Sequence, residues 1–470
     1  MPRRWHSMLS LLVLAGSAAD AATGTMRLDY FHTGGQGIEV FALDRVVVEP
    51  LPWPGPAERG PGIADLGGYR FVVRDASGHE TFVQGFDSIF GEWVTTAEAA
   101  TTHRTFRESL RFPVPSGRID IAVQRRDEQQ RFVTVWTTTV DPEDPFVVRA
   151  SPPRHELIPI ERHGEPAAKV DVLFLGDGYT AEECASRFAA DARRMADALF
   201  AHEPFASRRD DFNLWGLCPP SPESGIARPS TGVQRWTPAG TTYDAFGSER
   251  YVLTFDDRAL RDIAAWAPYE FLAILVNAET YGGGGIFGAF STVAVRNEWA
   301  SYIFVHEFGH HFAALADEYY TSPVAYEPVA RVVEPWEPNV TALLDGAPLK
   351  WSDLVADGTP VPTPWPKEAF EEQQRDFQAR RQQIRAERRP ESEMNALFRE
   401  EQAYETALLG ASPVAGRVGA FQGARYDAQA YYRPQLDCVM FTRDEVPFCR
   451  VCQRAIERII DLYAGSLHIR

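Results

Sequence analysis

The apolar residues of this chain change their spacing near residue 150, and that change limits what each part can fold into. Before it, Tyr69, Phe71 and Val73 recur at every second position, as do Ile119, Ile121 and Val123, then Phe132, Thr134 and Trp136. A period of two places every second side chain on one face, which predicts half-buried strands. Gly-Gly, Ser-Gly and Pro-x-Pro steps separate them. The pattern predicts a β-sandwich-like accessory domain over residues 23–150. A linker over 151–169 follows, containing Pro152, Pro153, Pro159 and Pro166.

From Val170 onward, strands alternate with helices. Val170–Leu175, Phe212–Leu217 and Phe271–Val276 are short apolar runs, as buried strands require. Thr180-x-x-Glu183 forms a capping box that opens a helix running towards Phe200, and a second helix spans Asp257–Trp266. The expected fold class is therefore multidomain, mixed α+β and α/β, with residues 170–470 forming one domain. Tyr281 and Gly282–Gly285 predict a flexible loop or turn, because four glycines are unsuited to a strand interior; Ala289–Val295 then reads as extended. Between Lys367 and Leu409, Phe370, Phe377 and Ile384 repeat every seven residues and Pro390 divides the stretch. Two helices, arranged as an antiparallel hairpin projecting from the domain, fit that insertion (367–409), and a solvated or partly disordered insert is the competing reading. An amphipathic helix over Phe448–Tyr463 closes the chain.

Chemistry concentrates in His306-Glu307-Phe308-Gly309-His310 and the following Asp317-Glu318-Tyr319. Four helical residues rise about 6 Å and return to nearly the same face, so both imidazoles can converge on one ion. Zinc accepts neutral imidazole nitrogen, and a catalytic site combines three protein ligands with an open position. Glu307 lies beside that position, where it would act as general base towards water. Ile303, Phe304, Val305, Phe308, Phe312 and Leu315 surround the motif with apolar residues.

The third ligand requires a change of direction. In a continuing helix Asp317 would lie about 10.5 Å beyond His310, too far for a bond of about 2 Å. The chain must turn back after about Leu315, bringing Asp317, or alternatively Glu318, to the metal. Ala313 and Ala316 occupy the positions where a metzincin has its turn glycine and third histidine.

A net charge of −18 and a pI of about 5.1 argue against nucleic acid or an anionic membrane as partner. Arg3 and Arg4, the apolar run Met8–Ala15 and the step Ala19-Asp20-Ala21 read as an export signal over 1–21, implying a periplasmic or secreted protein without an integral membrane segment once the signal is removed. Five cysteines are present: Cys184, Cys218, Cys438, Cys449 and Cys452. In an exported chain a disulfide among the last three is expected. A zinc knuckle formed by the same three is the alternative, but it lacks an evident fourth ligand in sequence.

The His306–His310 motif with Asp317-Glu318-Tyr319, the β-rich front, and the tail of Cys438-Val439-Met440 and Phe448-Cys449-Arg450-Val451-Cys452 resemble the IgA-peptidase family of zinc metallopeptidases. The resemblance implies a zincin-type domain, Zn2+ as cofactor, peptide-bond hydrolysis in a protein or peptide substrate, and Met440 as a Met-turn beneath the metal. It also implies an edge strand before the helix that pairs with the substrate backbone. Glu307 is the expected catalytic residue, and His306, His310 and Asp317 the metal ligands. Tyr319 or Tyr320 would donate a hydrogen bond to the oxyanion or anchor the turn. A zinc amidase acting on cell-wall or other non-protein amides, and a non-catalytic exported binding protein with a structural metal, are the competing readings.

Overall fold

The computed structural model describes residues 23–56, 63–322, 331–344, 346 and 348–464; the expected export signal at 1–21 lies outside them. Seven strands come first: β1 Gly24–Gly35, β2 Ile38–Pro52, β3 Tyr69–Asp75, β4 Glu80–Phe86, β5 Arg104–Pro113, β6 Ile119–Arg126 and β7 Phe132–Val140, with a short helix, α1 Ile89–Trp93, before β5. They form antiparallel sheets of order β2-β1-β5 and β4-β3-β6-β7. Met26, Leu28 and Tyr30 from one sheet share a core with Phe71, Val73, Ile121 and Val123 from the other. Period-two alternation produces this arrangement, because each sheet has one apolar face to bury.

The remaining strands are β8 Ile158–Glu161, β9 Val170–Asp177, β10 Phe212–Leu217, β11 Thr241–Thr242, β12 Leu253–Thr254, β13 Phe271–Val276, β14 Gly283–Ile286, β15 Phe290–Ala294, β16 Phe421–Ala424 and β17 Asp427–Arg433. Six of them form a mixed sheet of order β14-β15-β13-β9-β10-β8, in which β15, β13, β9 and β10 are parallel and the outer strands β14 and β8 run antiparallel. Ile158–Glu161 falls inside the stretch read as a linker, where Pro159 suggested irregular chain. An edge position accommodates that proline, which has no N–H to donate.

The helices are α2 Ala181–Glu183, α3 Ala189–Leu199, α4 Asp257–Ala264, α5 Ala300–Ala313, α6 Lys367–Ala386, α7 Glu391–Gly410 and α8 Arg450–Ala464; a π-helical turn, Cys184–Phe188, joins α2 to α3. Thr180 and Glu183 make the expected reciprocal capping box. Every residue of β9 is buried, because the sheet is covered on both faces. Val170, Val172 and Phe174 face a core shared with α3, α5 and α8, whereas Leu173 and Leu175 meet α4 together with Ile89, Phe90, Trp93 and Phe106 of the front module. Buried Arg27 bonds Asp29 and also Asp262 of α4, the latter at 2.5 Å, joining the two parts of the chain.

Three expectations are corrected by this structure. The glycine run is not a loop, since Gly283–Ile286 is the edge strand of the sheet. A Cβ at Gly285 would lie 2.3 Å from the Glu307 carbonyl oxygen, and one at Gly283 would lie 2.5 Å from Ile303 Cγ2. The glycines therefore let α5 lie directly on the strand, a tertiary requirement that outweighs their poor strand propensity. The 367–409 insertion does form two helices, but they pack into the main core through Phe370, Phe377, Ile384, Leu397 and Phe398 instead of projecting from it. The disulfide joins Cys184 to Cys218, leaving Cys438, Cys449 and Cys452 as buried free thiols. Chain-order proximity grouped the last three; the fold instead brings the start of the π turn beside the end of β10.

Candidate metal centre

Helix α5 ends at Ala313, and Ala314 adopts the left-handed conformation with φ +56°. Its N–H and that of Leu315 return to carbonyls of the last turn, those of His310 and Gly309. The turn therefore begins one residue before Leu315, at an alanine where glycine is the usual residue, so composition gave no warning of it. From there the chain runs back under the helix. Asn339 clamps it by accepting the Ala316 N–H at 2.8 Å and donating to the Ala316 carbonyl at 3.0 Å. Glu318 N–H bonds the Met440 carbonyl at 2.9 Å, and the Arg425 and Tyr426 amides donate to the Asp317 and Tyr319 carbonyls.

This path brings the Asp317 carboxylate to both histidines. Asp317 Oδ1 lies 2.9 Å from His306 Nε2 and 3.2 Å from His310 Nε2, and the two Nε2 atoms are 3.2 Å apart. His306 Nδ1 faces the Val439 carbonyl at 3.0 Å and His310 Nδ1 the Leu315 carbonyl at 2.5 Å. Each Nδ1 therefore carries a proton and donates it, so the neutral form of each ring directs its Nε2 lone pair at the same point. Two such lone pairs and a carboxylate oxygen form a donor set that suits one cation between them. Atoms bound about 2.0–2.1 Å from a tetrahedral zinc ion are about 3.3 Å apart, so the spacings fit that ion. Burial alone would lower the His310 imidazole, but Asp317 opposes this and the group is pushed up to about 9. Asp317 itself stays far below the ordinary carboxylate range: burial would raise it, and the two histidines more than offset that.

Glu307 lies on the next face of α5, in the wall of a polar cavity shared with Arg250, Tyr302, Tyr319, Arg381 and Arg443. Burial raises its carboxyl above the ordinary value, against the pull of His306 and His310. A carboxyl with raised proton affinity beside an ion site suits proton transfer in both directions. Glu318, the alternative ligand, points the other way, towards the three free cysteines. Tyr319 lies over His306, with ring centres 6.1 Å apart, and its hydroxyl accepts from Arg250 at 3.1 Å. Tyr320 instead packs its ring on Phe370 and Phe441. Met440 is fully buried beneath the helix, with its sulfur 3.1 Å from where a Cβ would sit on Gly309. A wider cavity of about 530 Å³ lies between the front module and residues 333–336; Arg425 lines it, whereas His306, Glu307, His310 and Asp317 do not.

The family model described as IgA Peptidase M64 matches residues 158–460. The chain belongs to the M64 peptidase family. A second model, described as Peptidase M64 N-terminus, matches residues 20–137. No curated protein matches the chain. In this M64 peptidase several supporting groups left no trace in the local sequence pattern. Tyr426, in the turn between β16 and β17, donates its hydroxyl to Asp317 Oδ2. His311, adjacent to the motif, is not part of the ion site. It accepts the Leu272 N–H at 3.0 Å and donates to the Ile286 carbonyl at 3.1 Å, tying α5 to the sheet, and burial lowers its imidazole to about 3. Among the described residues no helix is long and apolar enough to cross a membrane.

Proposed function

We propose that this M64 peptidase is an exported, zinc-dependent endopeptidase of zincin type, with His306, His310 and Asp317 as metal ligands and Glu307 as the catalytic base and acid. The carrying observation is the convergence of two imidazole Nε2 atoms and one carboxylate oxygen within 3.2 Å of one another, with Glu307 in the adjoining cavity. Held by His306, His310 and Asp317, a zinc ion would supply Lewis acidity towards the scissile carbonyl and lower the pKa of water. Glu307 takes the proton from the attacking water and returns it to the leaving amine. Tyr319 accepts a hydrogen bond from Arg250, so its own hydroxyl proton is available to the carbonyl oxygen as negative charge develops.

The antiparallel edge strand beside α5 supports the zincin reading and gives the substrate backbone a partner. Gly283 N–H and C=O bond Arg250 and Val252, pointing away from β15. Strand alternation places the next outward-facing residue at Gly285, over Glu307. Into the same cavity α6 contributes Arg381 and α7 the carboxyl groups of Glu401 and Glu405, so that wall carries both signs of charge. Arg381 is 8% exposed, lies over Phe398 at 5.3 Å, and makes no hydrogen bond or ion pair with another described residue. Export is supported by the Cys184–Cys218 disulfide, a bond characteristic of oxidising compartments.

The decisive variant is Glu307→Gln, which preserves shape and removes the proton carrier. It should retain zinc and lose about 10²–10⁴-fold in kcat on a protein substrate. Wild-type turnover in that variant, or wild-type turnover surviving exhaustive chelation, would overturn the assignment.

A further inference from the structure

Behind the first centre, the chain gathers a second set of ligands from segments far apart in sequence. Cys438, Cys449, Cys452 and Glu318 are all buried, each at 3% exposure or less, and their donor atoms lie within 4.8 Å of one another. Cys438 Sγ is 4.0 Å from Cys452 Sγ, and Glu318 Oε1 is 3.3 Å from Cys452 Sγ and 3.8 Å from Cys449 Sγ. Four ligands around a tetrahedral zinc ion, with Zn–S about 2.3 Å and Zn–O about 2.0 Å, are about 3.8 Å apart between sulfurs and about 3.5 Å from sulfur to oxygen. The observed spacings match. We propose that Glu318, Cys438, Cys449 and Cys452 bind a second zinc ion in a closed structural site.

The surroundings suit thiolates. Cys438 Sγ receives the backbone N–H groups of Cys449 at 3.2 Å and Met440 at 3.5 Å, and Cys449 Sγ receives that of Cys452 at 3.4 Å. Cys449 and Cys452 stand at the start of α8, where the helix dipole favours negative charge. Asn339 donates to Glu318 Oε1 at 3.0 Å and orients that oxygen, while Oε2 is buried without a hydrogen-bond partner. A disulfide between two of the cysteines would leave the buried Glu318 carboxyl with Oε2 still unpartnered and no cation beside it. Four protein ligands fill a tetrahedral zinc, leaving no position for substrate.

The site's role follows from its neighbours. Asp317 and Glu318 are consecutive residues of a returning chain and point to opposite sides, one to each centre. Val439, whose carbonyl receives His306 Nδ1, lies between Cys438 and Met440. The second ion thus fixes the chain on both sides of the first centre and holds its third ligand in place.

Metal analysis of the purified full chain should give two zinc ions per chain, and the His306→Ala/His310→Ala variant should retain one. Cobalt(II) exchanged into that variant should display the thiolate-to-cobalt charge-transfer band, and Cys438, Cys449 and Cys452 should resist alkylation until a chelator and denaturant are added. Cys452→Ser in the same background should lose the band; where that variant does not fold, the histidine variant alone carries the test through its metal content and spectrum. One zinc per wild-type chain with no sulfur band, or peptide mass evidence for a disulfide within the trio, would overturn the proposal. The outcome is independent of the catalytic assignment, because the readouts are stoichiometry and spectrum and persist without the histidines.

Discussion

Replacing Tyr426 by Phe isolates one hydrogen bond that stands behind the ion site. The Asp317 carboxylate is 7% exposed; its Oδ1 faces the histidines and its Oδ2 accepts the Tyr426 hydroxyl. Phe retains the ring that packs on Tyr319, with centres 5.6 Å apart, so the change removes little beyond the donor. A hydrogen bond to a buried charge contributes about 1.5–3 kcal/mol. Removing a group that orients a metal ligand lowers affinity about 10–100-fold, equivalent to about 1.4–2.7 kcal/mol, so two independent scales agree. Competition against a fluorescent chelator at fixed pH should therefore show zinc bound about 10–100-fold more weakly by Tyr426→Phe. Tyr319→Phe is the control: it loses a hydroxyl bonded to Arg250, not to Asp317, and should leave affinity within about threefold of wild type. Equal losses in both variants, or no loss in Tyr426→Phe, would refute the argument that the hydroxyl acts through Asp317.

Three further outcomes follow from the geometry. Ala314→Val should destabilise the chain by about 1–2 kcal/mol or more and lower zinc affinity, because a β-branched residue resists φ +56°; Ala314→Gly should stay within about 1 kcal/mol of wild type, since relieved strain offsets the lost buried methyl, and chemical denaturation distinguishes the two. Gly285→Ala places a methyl group 2.3 Å from the Glu307 carbonyl oxygen and should lower kcat/KM at least tenfold with a stability loss of about 1–3 kcal/mol; wild-type kinetics would show that the close approach is not needed. In the front module, burial alone would lower His32, but Glu108 and Glu39 at 3.0 and 2.9 Å raise it above 6.5. The folded value exceeds the unfolded one, so this contribution is complete below about pH 6.5 and fades as pH rises through the folded value. The urea midpoint of wild type should fall across that window relative to His32→Gln, and parallel profiles would refute it.

The histidine pair and its base were legible because an α-helix fixes their relation through local geometry alone. His306, Glu307 and His310 take their positions from 3.6 residues per turn, and the apolar residues around them imply burial. The same holds for the alternating strands of the front module and for the parallel-strand runs β9, β10 and β13, where side-chain period and length decide. The limit on Asp317 was also visible, since helical rise prohibits it from reaching the ion without a turn.

Where that turn falls was not visible, because Ala314 is held left-handed by hydrogen bonds to the helix end and by the chain that Asn339 clamps below it, not by its own preference. The glycine run misled for the same kind of reason: propensity describes a strand in isolation, whereas β14 exists because α5 presses against it. Cysteine pairing is a contact between remote segments, and adjacency in the chain carries little information about it. Residue order was enough for the local periodicities and the two-histidine helix, since both depend on backbone geometry within a few residues. That Asp317 turns to the histidines and Glu318 to the cysteines came from the three-dimensional packing alone, because the division depends on how the returning chain is held between α5, Met440 and the turn at Tyr426.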